Sequence, residues 1–217
     1  TNFHENISPG SYDDIRRNYL TDESVRKYFL KNVKQKNIAF HGSESSAFDF
    51  AVLKKELGEI KQVNPNVKGF RTHYLYFEYQ KLFSNLEKAG IQYDASIGFR
   101  KNYGFRAGTS YPFYPFDIVN NRPFNVLEIP FTIMDTTLNS PALLNLPYFL
   151  AKNKITEFFE KMAKSGGHIS ILWHNNTFDF IDFRLWGQLY WHLIKWAKRN
   201  DVWICSLHEM YEIWKES

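Results

Sequence analysis

Five short apolar runs in this sequence end in side chains that can move a proton, bind a cation or hold an anion. Ile38-Ala39-Phe40 ends in His41. The run over 67–70 ends in Arg71 and His73, and Ile91-Gln92-Tyr93 ends in Asp94. The run over 126–134 ends in Asp135, and the run over 168–173 ends in His174. Taken singly, a histidine or aspartate in such a place is a loop cap or a solvated side chain. Repeated in order along a chain, the pattern predicts side chains delivered to one rim of a parallel sheet, where sites are built.

The chemistry that suits this set is metal-assisted hydrolysis. Two imidazoles can ligate a divalent ion such as zinc, which takes a third protein ligand and keeps a position for water. The ion acidifies that water and polarises a carbonyl. A separate histidine, held by a carboxylate, can protonate a leaving amine. An arginine can orient a carboxylate with a two-pronged hydrogen bond.

The elements that must position these residues alternate. Helical periodicity is expected over 12–36 in two pieces, with a break and a new cap at Thr21, Asp22, Glu23 and Ser24. Further helices are expected over 47–61, 75–89, 140–165 and 183–199, with a short helix at the end of the chain. Asn64-Pro65-Asn66 reads as a turn, Gly90 as a left-handed helix end, and Gly166-Gly167 as a helix stop. Residues 126–134 read as one strand and Val202-Trp203-Ile204-Cys205 as a final strand, with Cys205 an inert core thiol. The stretch 97–123, rich in Gly, Pro and aromatics, reads as a long loop, and loops of that length are usually functional. Short strands between longer helices imply an α/β class with a mostly parallel sheet, open or closed into a barrel. No repeat, linker or low-complexity segment divides residues 1–217, which read as a single domain.

Composition narrows the function. The 217 residues are 44% hydrophobic and 23% charged, which fits a globular domain with a sizeable core. The net charge of +4 is spread among acidic residues with no run of one sign, unlike a nucleic-acid footprint. A single cysteine excludes an internal disulfide framework. No run of about 18 apolar residues suggests a membrane span, and no signal peptide is visible, which favours the cytoplasm unless the start is truncated. Aromatics reach 18%, so rings are available both for the core and for stacking on sugars.

The ordered motifs resemble the polysaccharide deacetylase family, carbohydrate esterase family 4. They are most similar to a branch associated with bacterial O-antigen and surface-polysaccharide biosynthesis. The matching stretches begin with Ile38-Ala39-Phe40-His41-Gly42-Ser43 and Gly69-Phe70-Arg71-Thr72-His73-Tyr74-Leu75. They continue with Tyr93-Asp94-Ala95-Ser96-Ile97-Gly98-Phe99 and Gly104-Phe105-Arg106-Ala107-Gly108-Thr109-Ser110. The last are Leu127-Glu128-Ile129-Pro130, running on to Asp135, and Ile171-Leu172-Trp173-His174-Asn175-Asn176. The resemblance implies a distorted (β/α) barrel and metal-dependent removal of an N-acetyl group from a sugar. By position, His41 looks like the first histidine of the metal motif, Arg71 like the arginine that orients the base, and His174 like the general acid. Asp135, with Asp94 as second candidate, looks like the carboxylate that tunes that acid. Asp94, Arg106, Tyr111 and Trp173 are the expected substrate contacts, with Phe113 and Tyr114 as further stacking rings. The alternative for the loop is a packed segment that Arg106 ties down.

Three departures from the family pattern stand out. Ser45 occupies the place of the motif's second histidine, so His73 is the candidate second metal ligand. The family's first strand, ending in an aspartate pair, is not seen. Tyr12-Asp13-Asp14 has the letters, but residues 1–11 carry no strand pattern, and Asp13 and Asp14 read as first-turn helix carboxylates. His73 also stands where the family has proline. Either the motif-bearing first strand lies upstream of Thr1, or the chain has lost its metal and base. The competing expectation is therefore a non-catalytic saccharide-binding or assembly module. His4, His168, His192 and His208 have no companions in sequence and read as structural or solvated.

Overall fold

The structure, a computed structural model, describes residues 3–4, 22–33, 39–179, 181 and 185–216. In chain order the elements begin with strand β1 (Phe3–His4), helix α1 (Glu23–Val33), β2 (Phe40–Gly42) and α2 (Phe50–Lys61). Next come β3 (Gly69–Thr72), α3 (Tyr79–Ala89), β4 (Tyr93–Asp94), β5 (Phe116–Asp117) and β6 (Arg122–Pro123). They are followed by β7 (Leu127–Glu128), β8 (Ile133–Met134), α4 (Asp135–Asn139) and α5 (Tyr148–Ser165). The chain closes with β9 (Ile171–Leu172), α6 (Trp186–Arg199) and α7 (Leu207–Trp214). The class is mixed α/β with a mostly parallel sheet. Among the described residues no helix is long and apolar enough to cross a membrane.

The described chain forms two compact units. The first takes its described residues from 1–96, 112–129 and 206–217. It holds a five-stranded sheet in the order β1, β2, β3, β4, β7, parallel throughout. Its strands are very short, so register rather than length aligns the side chains. His41 stands opposite Arg71, and Asp94 stands opposite Glu128. Helix α2 starts where the Asp49 carboxylate accepts the amides of Ala51 and Val52 at 2.7 and 3.3 Å. Helix α3 ends at Gly90, with φ of 77°, where the Ile91 amide reaches back to the Leu86 carbonyl. Leu53, Leu57, Phe70, Leu82 and Phe83 are buried in this unit. Helix α7 opens with a reciprocal cap between Ser206 and Glu209. It lays Leu207, Met210, Tyr211 and Trp214 on Tyr93, Leu127 and Ile129.

The second unit takes its described residues from 97–111 and 130–205. Its parallel pair β8–β9 aligns Ile133 with Ile171 and Met134 with Leu172. Helices α5 and α6 cover a core of Ile133, Leu138, Ile155, Leu189 and Leu193.

Several sequence expectations are corrected. Residues 1–11 do contain a strand: β1 pairs with β2, and two residues within polar sequence are too few to show a period. The run 126–134 is two strands. Pro130 has no amide to donate, and β7 pairs with β4 whereas β8 pairs with β9. The 97–123 loop contains a hairpin, β5 with β6. The helix expected from 140 begins at Tyr148, because Asn145 has φ of 45° and Pro147 precedes the first turn. Residues 202–205 form no strand. Asp201 turns left-handed (φ 53°) and the Val202 amide closes α6 on the Ala197 carbonyl. Cys205 is partly exposed rather than a core thiol. The first of the two expected N-terminal helical pieces, with Asp13 and Asp14, lies outside the described residues; the second is α1.

Candidate functional site

Three groups of polar side chains emerge, two in the first unit and one in the second. In the first unit, His41 leaves β2 almost fully buried. Its ring meets that of His73 edge to face, with centroids 5.4 Å apart. The loop after His41 is fixed from below. Glu56 of α2 accepts the Ser43 hydroxyl at 2.5 Å and the Ser43 amide at 3.1 Å. The Ser46 hydroxyl donates to the Ser43 carbonyl at 2.7 Å. Burial raises the Glu56 carboxyl above its ordinary range, against the lowering effect of the Ser43 hydrogen bonds.

His73 sits where β3 ends in a strained turn. Tyr74 and Leu75 both hold φ of 56°, a left-handed conformation that costs such residues about 1 kcal/mol or more each. Buried Leu75 and the Thr72 hydroxyl, which donates to the Tyr76 carbonyl at 3.2 Å, hold the turn. The Tyr74 ring stacks on the His73 imidazole at 3.9 Å.

Arg71 is buried beside two carboxyl groups, Asp94 and Glu128. Burial lowers the guanidinium pKa, and the charges of Asp94 and Glu128 oppose that shift. The Arg71 Nε donates to the Ala95 carbonyl at 3.0 Å. Asp94 accepts the Ser96 hydroxyl at 2.8 Å and the Ser96 amide at 3.1 Å. Burial raises the Asp94 pKa, and the neighbouring Glu128 and the Ser96 hydrogen bonds oppose that shift.

In the second unit the geometry is simpler. Asp135 is fully buried at the start of α4. The His174 Nδ1–H donates to Asp135 Oδ1 at 2.6 Å, and the His174 amide donates to Oδ2 at 2.7 Å. The Thr136 amide adds a third bond, to Oδ1, at 2.7 Å. The Thr177 hydroxyl donates to the His174 carbonyl at 2.6 Å. The imidazole keeps 30% exposure. A carboxylate on Nδ1 fixes ring and tautomer, so Nε2 is the nitrogen that can exchange a proton.

The remaining candidates are placed as follows. Trp173 packs on the second unit's core, and its indole N–H donates to the Trp186 carbonyl at 3.2 Å. Arg106 is exposed and donates to the Gly98 carbonyl at 3.3 Å, tying its loop. Tyr111 and Tyr114 are about half exposed. The Phe113 amide and carbonyl both bond Glu128, which makes Phe113 part of the sheet edge. The ring nitrogens of His168 face the Ser110 and Pro130 carbonyls at 2.5 and 3.2 Å. Burial lowers the His168 pKa despite both bonds.

The structure brings His41 to His73 and Asp135 to His174, and it puts Asp94 with Glu128 and Arg71. Sequence reasoning missed Glu56 and Glu128 as members of these groups. A signal existed for each. Glu56 interrupts the apolar stripe Leu53, Leu57, Ile60 at helical spacing, and Glu128 interrupts an apolar strand. The two imidazoles suit a zinc-like ion as two of its ligands. Among the described residues no group of three or more His, Cys, Asp or Glu could hold a metal. Comparison with protein families finds no family model that matches the chain, and a search of curated proteins finds no match.

Proposed function

We propose that this chain is a carbohydrate N-deacetylase of the polysaccharide deacetylase type, acting on a sugar of a bacterial surface polysaccharide or its precursor. The observation that carries the reading is the His174–Asp135 pair, with both carboxylate oxygens spent on one histidine. The ordered motifs of the sequence support it, and the parallel strands are then part of the family's distorted (β/α) barrel. His174, anchored at Nδ1 by Asp135, acts in its doubly protonated form: Nε2 gives its proton to the departing amine and the ring returns to the Nδ1–H tautomer. Arg71 orients a carboxylate, and Tyr111 and Arg106 meet the sugar. His41 and His73 would supply two ligands of a divalent metal. When bound, that ion would supply Lewis-acid polarisation of the acetamide carbonyl and acidify water.

The test is acetate release from N-acetylated saccharides, measured with and without chelator, for the unaltered chain and for His174→Ala. Chelator-sensitive release that His174→Ala abolishes supports the assignment; full activity in that variant ends it. A second reading rests on the incomplete ligand set: a saccharide-binding module without the chemistry. Sugar binding indifferent to chelator, with no acetate released from any substrate, would favour it.

A further inference from the structure

Helix α6 carries a second pattern that the hydrolytic reading leaves unused. Its inner face, with Leu189, Leu193 and Ala197, is buried. On the opposite face Trp191, Lys195, Lys198 and Arg199 are exposed and fall within one stripe at helical spacing. The chain then turns at Asp201 and presents three apolar residues in succession. Val202 is 39% exposed, Trp203 55% and Ile204 45%, and Trp191 on the helix is 53% exposed. The bond from the Val202 amide to the Ala197 carbonyl fixes this segment against the end of the helix. From 186 to 205 the sequence has three Lys or Arg and one acidic residue, Asp201.

Isolated exposed apolar residues need no explanation, but large ones clustered beside cations do. Tryptophan favours the boundary between acyl chains and headgroups, where its ring is in apolar surroundings and its N–H stays wet. Lysine and arginine lay their stems along apolar surface and carry their heads to anionic phosphate. We propose that the exposed stripe of α6 and residues 202–204 form a peripheral docking surface for an anionic phospholipid bilayer. Charge complementarity selects this occupant: an uncharged apolar partner would leave Lys195, Lys198 and Arg199 without counter-charge. The surface lies on the bilayer rather than spanning it, with two indoles inserted at headgroup depth.

The test is flotation of the 217-residue chain with vesicles of phosphatidylcholine alone and of phosphatidylcholine mixed with phosphatidylglycerol. The expected result is flotation with the phosphatidylglycerol vesicles alone, weakened by added salt. Trp191→Ala with Trp203→Gln should abolish it, and Lys195→Glu with Lys198→Glu should reduce it severalfold. All four side chains are exposed, so circular dichroism should show the variants folded. No flotation, or flotation the substitutions leave unchanged, overturns the proposal. Equal flotation with phosphatidylcholine alone also overturns it, because the cations then play no part. A concentration-dependent dimer that Trp203→Gln dissolves would make the surface an interface between copies, and would overturn it too.

Discussion

Two of the polar groups solve different physical problems. At Asp135 and His174, one carboxylate receives three donors, and one partly exposed ring is held by its Nδ1. The carboxylate's surroundings are hydrogen-bonded, and the ring's other nitrogen is the one positioned to exchange a proton. At Arg71, Asp94 and Glu128 a guanidinium and two carboxyls are all buried, and the guanidinium offsets part of the cost of burying the carboxyls. The first arrangement orients a group for use. The second is bound up with the stability of the sheet. The comparison teaches that burial of a carboxylate does not by itself mark a site: Asp135 and Asp94 are both buried, and only Asp135 holds a partly exposed ring.

Substitutions should therefore separate activity from stability. The largest effect is expected at the oriented pair. Asp135→Asn and His174→Ala should each lower the kcat of the proposed deacetylation by about 10²- to 10⁴-fold. Asp135→Asn should cost only ~1–2 kcal/mol of stability, read by urea unfolding. If both variants kept full activity, the contrast would collapse. Arg71→Met should do the reverse in emphasis, destabilising by about 3 kcal/mol because it leaves a buried charge without its partner. A loss under ~1 kcal/mol in urea unfolding would show that Arg71 is not coupled to the carboxyls.

A pH series sharpens the same point. Asp94 is raised in the folded chain, so the folded state keeps a proton that the unfolded chain gives up near pH ~4. Its contribution is fully present below that pH and is lost as pH rises through the folded-state value. Asp94→Asn removes the buried titrating carboxyl. It should flatten this decline in a plot of unfolding free energy against pH, and an unchanged slope would argue against a raised Asp94. The smallest effect belongs to neither group. Asp201→Gly relieves a left-handed residue at the end of α6 and should stabilise by roughly 0.5–1 kcal/mol in thermal unfolding.

Local chemistry was the legible part of this sequence. Gly90 announces the end of α3 because few other residues accept its conformation, and the periodicity of α2, α3, α5 and α6 follows from their buried faces. The strand ends were readable as positions for His and Asp, since an apolar run that stops at a titratable residue is a local event. Which of them meet was not. His174 joins Asp135 through the register of β8 on β9, and Asp94 joins Glu128 through that of β4 on β7. Such pairings depend on partners many residues away. The stretch 202–205 failed for a related reason: its apolar letters suit a strand, but its first amide belongs to the helix before it. Glu56 and Glu128 escaped because a carboxylate among apolar residues reads as an exception until its donors are seen.

The docking of α7 on Tyr93, Leu127 and Ile129 bears on how the chain comes into being. The first unit is assembled from three separated stretches, the last of them 206–217. On the ribosome, the sheet surface beneath α7 is without that cover until residues 206–217 have been made. A growing chain must carry Tyr93, Leu127 and Ile129 uncovered through the synthesis of residues 130–205. Truncation just before Ser206 should therefore give a product captured by chaperones or lost to aggregation, although every strand of the sheet is present.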